Sequence, residues 1–179
     1  MGIIRSLVCA SLLVGCAQAH GTDDVAPGIY ELTIERGLDA CSPARPAGVM
    51  GTVAVIVDEG TLDAPVPDAD ASLLASPRVR LAPERAFHAE TNRRVTGCEG
   101  AWVHEEWTLL EGGAEGFVLS HRQLWEGLSS CAEGSITMRG APVADCESER
   151  RLAYRLAERC AAPCALRLVA PEAVGCVCE

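Results

Sequence analysis

The strongest constraint on the fold lies in residues 101–128, where two strand-like runs flank a glycine pair. Trp102–Glu111 and Gly116–Glu126 switch between apolar and polar types at the two-residue period of a β-strand. Gly112-Gly113-Ala114-Glu115 separates them, and a turn centred on Gly113-Ala114 puts Gly first, as a type II′ hairpin prefers. That register pairs Trp102 with Trp125, His104 with Gln123, Glu106 with His121, Thr108 with Leu119 and Leu110 with Phe117 on one face. The other face pairs Val103 with Leu124, Glu105 with Arg122, Trp107 with Ser120 and Leu109 with Val118. Neither face is wholly apolar, so the pattern leaves their orientation open. Cys98 and Cys131 fall just beyond the hairpin ends, within disulfide reach.

The rest of the chain follows the same period. Gly28–Arg36 alternates, with Tyr30, Leu32 and Ile34 on one side. Gly37, Pro43, Pro46 and Gly48 surround Cys41 in a loop. Val49–Val57 is a β-branched run, and Pro65 and Pro67 mark Thr61–Val66 as an edge. Arg78–Leu81, Phe87–Val95, Ser135–Arg139, Ala165–Val169 and Val174–Cys178 read as further strands. Residues Ser148–Arg159 have a helix-favouring composition. Their Leu152, Tyr154 and Leu156 alternate, however, and β context overrides propensity, so a strand is expected. Asp68-Ala69-Asp70-Ala71-Ser72 imitates the opening of a calcium loop, but Leu73 and Val79 stand where that loop needs Gly and Glu. It reads as a solvated acidic loop. Roughly eight to ten strands at hairpin spacing predict a mainly β, single antiparallel domain. The expected architecture is a lipocalin-like up-and-down barrel, with a β-sandwich as the alternative.

At the front, Arg5 precedes a mostly apolar run, Ser6–Gly15, which has the layout of a secretory signal. It is shorter than the roughly twenty residues a spanning helix needs. Leu13-Val14-Gly15-Cys16 closes the run and resembles the lipobox of bacterial lipoproteins. The resemblance implies that residues 1–15 are removed as a signal peptide and that Cys16 is acylated. Residues 16–27 then form a lipidated tether, and 28–179 a disulfide-stabilised β domain. Two or more acyl chains suffice for stable anchoring, so the membrane is the expected partner and the bacterial cell envelope the expected location. Ala17 after the cysteine, where Asp would resemble an inner-membrane retention signal, favours the outer membrane. A competing cut after Ala17-Gln18-Ala19 would start the chain at His20. His20-Gly21 resembles the mature start of copper-dependent oxidative polysaccharide-cleaving enzymes, which implies copper at the His20 amine and imidazole. Nothing downstream supports that family.

With Cys9 in the signal and Cys16 assigned to lipid, eight of the 10 cysteines remain. An even number in an oxidising compartment favours four disulfides. Proximity in the strand layout pairs Cys98 with Cys131, Cys41 with Cys146, Cys160 with Cys178 and Cys164 with Cys176. Zinc at Cys160, Cys164, Cys176 and Cys178 is the alternative, but the spacing lacks Cys-x-x-Cys regularity, and no metal is expected. The net charge of −10 repels phosphate backbones, which excludes nucleic acid as a partner. All 15 basic residues are Arg, which excludes lysine Schiff-base chemistry.

Only the long hairpin gathers chemistry. Trp102, His104, Glu106, His121, Gln123 and Trp125 share one face in the expected register, and turned inward they would line a ligand pocket of aromatic walls and polar groups. Glu106 and His121 would form a general-base pair if burial brought their pKa values together. Cross-strand pairs of opposite polarity are also ordinary sheet stabilisers contributing about 0.2–1 kcal/mol, and this plainer reading carries more weight. The chain has no Gly-x-Ser-x-Gly elbow, no His-Glu-x-x-His and no phosphate-binding glycine loop. Neither catalysis nor a cofactor is expected. The expected function is a lipid-anchored, non-catalytic envelope lipoprotein with a structural or interaction role. A small apolar ligand-binding barrel and a periplasmic copper enzyme starting at His20 are the alternatives.

Overall fold

Alternate burial along each strand builds the wall of a barrel. In the computed structural model, residues 24–44, 47–67, 77–138 and 140–160 are described, with the backbone of 165–170 and 173–177. Ten strands follow in order: β1 (Gly28–Asp39), β2 (Gly48–Asp58), β3 (Thr61–Pro65), β4 (Arg78–Leu81), β5 (His88–Arg94), β6 (Trp102–Gly113), β7 (Gly116–Glu126), β8 (Cys146–Arg159), β9 (Ala165–Ala170) and β10 (Ala173–Val177). The first eight form one antiparallel sheet in the order β4-β3-β2-β1-β8-β7-β6-β5. Each strand neighbours its successor except at one place. β1 pairs with β8, while the consecutive strands β4 and β5 are the two edges. This is an up-and-down barrel with a single seam, not two packed sheets. β9 and β10 make a separate hairpin.

Beside the β4–β5 seam, the end of β3 is short of donors. β3 ends at Pro65, opposite Arg78 of β4, and Pro67 follows two residues later; neither has an N–H to give. The chain turns inward instead, and β8 meets it. The Tyr154 hydroxyl donates to the Pro65 carbonyl at 2.6 Å and the Arg150 guanidinium to the Pro67 carbonyl at 3.3 Å. The intervening Val66 N–H donates to the Pro77 carbonyl at 2.8 Å. Every backbone polar group from Pro65 to Pro67 except one carbonyl, that of Val66, thus has a named partner.

The main core gathers Tyr30, Leu32 and Ile34 of β1 with Val53, Val55, Leu109, Phe117, Leu119, Leu152 and Tyr154. Phe117 stacks on Tyr154 at 4.3 Å between centroids and meets Tyr30 edge-on at 5.4 Å. Burying each large apolar side chain gains about 1.5–3 kcal/mol. A second cluster, with Val95, Val103, Trp125 and Leu128, closes the barrel end where β1 stops and β8 begins. Two disulfides staple that end, Cys41–Cys146 and Cys98–Cys131, with Cα separations of 5.2 and 5.4 Å. Both pairings match the layout expected from sequence.

Residues 148–159 are strand despite their helical composition, because β1 and β7 pair them on both sides and Ser148, Arg150, Leu152 and Tyr154 point inward. The strand expected at Ser135–Arg139 is not formed in its described part, 135–138. The positive φ of Gly97, 89°, lets that residue pack directly against the Ser135 carbonyl. One bond, Thr137 N–H to the Thr96 carbonyl at 2.9 Å, joins the two loops, while Ile136 and Met138 pack on the second cluster.

Cys41–Cys146 closes a 105-residue separation, so replacing both cysteines by serine lowers stability by about 2–5 kcal/mol. Urea unfolding of the oxidised double variant measures this, and a wild-type midpoint would contradict it.

Candidate functional site

The hairpin β6–β7 turns one residue later than expected. Gly113 lies opposite Gly116, Ala114 and Glu115 form the turn, and a bulge at Leu110 shifts the register. A Cβ on Gly116 would collide with the Tyr154 carbonyl oxygen, and its φ of 151° suits glycine. Away from the turn, Val103 pairs with Trp125, Glu105 with Gln123, Trp107 with His121 and Leu109 with Leu119. The expected register would have put the apolar residues of β6 and β7 on opposite faces. The observed one puts Val103, Trp107, Leu109, Phe117, Leu119 and Trp125 on the same buried face, and burial on one face is what specifies register.

The shift divides the expected pocket. His121, Gln123 and Trp125 point inward and are buried. Trp102, His104 and Glu106 point outward. Trp102 is 36% exposed, with the Arg94 guanidinium 5.1 Å above its ring. His104 contacts Asn92 Oδ1 at 2.6 Å and Glu126 at 3.2 Å, and Glu106 lies 3.7 Å from His88. The Glu106–His121 pair is therefore replaced by Glu105–His121.

Glu105 is the hub of the buried polar network. Its Oε1 accepts from His121 Nε2 at 3.3 Å and Gln123 Nε2 at 2.8 Å. Its Oε2 accepts from Arg93 Nε at 2.9 Å and Nη2 at 2.7 Å. Burial pushes this carboxyl up, but the His121 and Gln123 hydrogen bonds and the Arg93 charge outweigh it and hold the group below the ordinary carboxylate range. On the other side of the imidazole, Arg150 Nη2 stands 2.8 Å from His121 Nδ1. A guanidinium only donates, so Nδ1 accepts and carries no proton. The ring is neutral and Nε2–H donates to Glu105. Trp107 stacks on it at 5.0 Å and 11°. Arg150 is 2% exposed, and its carbonyl partner at Pro67 extends the chain of contacts to the inward-turning segment.

Chemically this arrangement is closed. Both His121 nitrogens are engaged, and four N–H groups occupy the Glu105 carboxylate. Neither group has a lone pair turned to open space, as a general base requires. Sequence pattern alone passed over Glu105, Trp107, Arg93 and Arg150. The available signal was register: aligning the apolar positions of β6 with those of β7 leaves Glu105 as the acid on an otherwise apolar strand face.

Among the described residues, no three His, Cys, Asp or Glu side chains converge as metal ligands. Cys160 is disulfide-bonded, so it is not a zinc thiolate. The side chains of Cys164, Cys176 and Cys178 lie outside the described residues, as do Cys16 and His20. Comparison of the chain with protein-family models, curated proteins and solved structures finds no match.

A carboxyl held below its unfolded value stabilises the fold above that value and loses the contribution as pH falls. For Glu105 that loss begins as pH falls through the unfolded value of about 4.5. Glu105→Gln is therefore less stable than wild type at neutral pH, and the gap narrows as pH falls below that value. Denaturant unfolding at pH 7, 4.5 and 3 follows it. A gap that stays constant with pH would contradict the assignment.

Proposed function

We propose that the chain is an exported, lipid-anchored bacterial envelope lipoprotein whose barrel works by non-catalytic contact. Disulfides at Cys41–Cys146 and Cys98–Cys131, with Cys160 also bonded, support an oxidising compartment. The saturated Glu105 and His121 support a structural role for the interior. Acylated Cys16 precedes the described residues by only eight positions, a reach of about 26–29 Å when fully extended. β1 leaves from the barrel end that also holds the Ala114-Glu115 turn, so that end is nearest the membrane and the disulfide-stapled end is displayed away from it.

One observation carries the contact reading. Leu38, Val49, Trp102 and Val143 are the exposed large apolar residues among those described; Leu38, Trp102 and Val143 lie towards the stapled end, and Val49 stands opposite Thr33, midway along β1. Leu38 is in the last turn-ward residues of β1, Val49 and Trp102 open β2 and β6, and the Val143 N–H donates to the Ser42 carbonyl beside Cys41. Apolar surface at that end is what a protein partner would cover.

Intact-mass analysis of the mature protein is expected to find a diacylated or triacylated amino terminus at Cys16, with the protein in the outer-membrane fraction and Cys16→Ser abolishing acylation. A mature chain beginning at unmodified His20 would overturn the anchor and favour the copper reading.

A further inference from the structure

The break between β4 and β5 opens into a cleft of about 400 Å³, within the size range of small-molecule sites. Val66, Val79, Ala89 and Trp107 supply apolar lining, and Glu105 is reached at one side. The polar groups around it are unequally committed. The Glu105 carboxylate is filled by His121, Gln123 and Arg93. Arg78, also at the cleft, is locked to Asp63 Oδ1 at 2.6 Å and to the Ala54 carbonyl at 3.2 Å.

The Thr91 hydroxyl and the Trp107 indole N–H lack a hydrogen-bond partner among the described residues, but both atoms are closed off from solvent and do not face a ligand in the cleft. Arg80 is exposed at the cleft and makes no hydrogen bond or ion pair among the described residues. A ligand that suits the opening therefore brings an apolar body and a negative charge. The chain as a whole carries −10, yet three arginines, Arg78, Arg80 and Arg93, border this one opening. An amine is repelled by them, and a hydrocarbon or an alcohol brings no counter-charge for Arg80.

We propose that the β4–β5 seam binds a small amphipathic carboxylate, with its chain against Val79 and Trp107 and its carboxylate at Arg80. The proposal rests on the seam geometry and is independent of whether Cys16 is acylated.

The test is photo-crosslinking of the purified full chain with decanoate carrying a terminal diazirine. Label is expected on the peptides bearing Val79, Ala89 or Trp107, displaced by excess decanoate and not by decylamine or decanol. Arg80→Glu, a surface change, lowers labelling about tenfold, equal to about 1.4 kcal/mol of binding. Ala89→Trp fills the cleft and abolishes labelling, with circular dichroism confirming the barrel. Label spread over the outer surface, displacement by decylamine or decanol as effective as by decanoate, or labelling unchanged by Arg80→Glu would each overturn the site. The label is located whichever residue begins the chain, so a failed anchor and a failed seam are told apart.

Discussion

A chain that leaves its own barrel wall has to find partners for its backbone inside an apolar interior, because a buried unpaired carbonyl costs free energy comparable to a lost hydrogen bond. Here the departure is at Pro65–Pro67, and the Tyr154 hydroxyl and the Arg150 guanidinium meet two of its carbonyls. Tyr154 is neutral and its burial pushes its pKa up further, so its proton stays in place. Arg150 brings a charge to the centre of the barrel, and that charge shapes its surroundings. His121 must present a bare Nδ1 to it, which turns Nε2–H towards Glu105. Glu105 then draws in Gln123 and Arg93. One inward turn of the chain thereby orders side chains from β5, β6, β7 and β8.

Much of the architecture was legible in the sequence, and the reason is the two-residue period. Tyr30, Leu32 and Ile34 alternate and are buried together, and Leu152 and Tyr154 alternate strongly enough to overrule the helical composition around them. Proximity in a meander was also enough to pair Cys41 with Cys146 and Cys98 with Cys131. What a period cannot supply is phase between neighbouring strands. The turn forms one residue later than its glycines suggest, which moves the pairing by two and keeps the faces; the bulge at Leu110 takes one residue back and so changes the phase. A one-residue slip exchanges the faces of the strands that slip, which is why Glu106 and His104 lie outside and Glu105 and Trp107 inside. Arg150 was passed over for another reason: an arginine on an alternating strand reads as solvent-facing until the carbonyl it serves, 83 residues away, is known.

The functional reading divides the molecule along its axis. One end carries the start of β1 and, by the proposal, the membrane. The other carries two disulfides, a small second core and three of the four exposed large apolar side chains. Between them the wall has one seam, where β4 and β5 do not pair. The buried polar network lies beside it, with Arg93 of β5 and Glu105 of β6 reaching the cleft.

The central claim is that His121 is a neutral structural link, donating from Nε2 to Glu105 and accepting at Nδ1 from Arg150. Nitrogen-15 NMR of selectively labelled histidine in the folded protein at pH 7 tests it most directly, because the two nitrogens report their protonation separately. The account predicts a neutral His121 ring with its proton on Nε2. A proton on Nδ1, in either the other tautomer or the imidazolium, would contradict it.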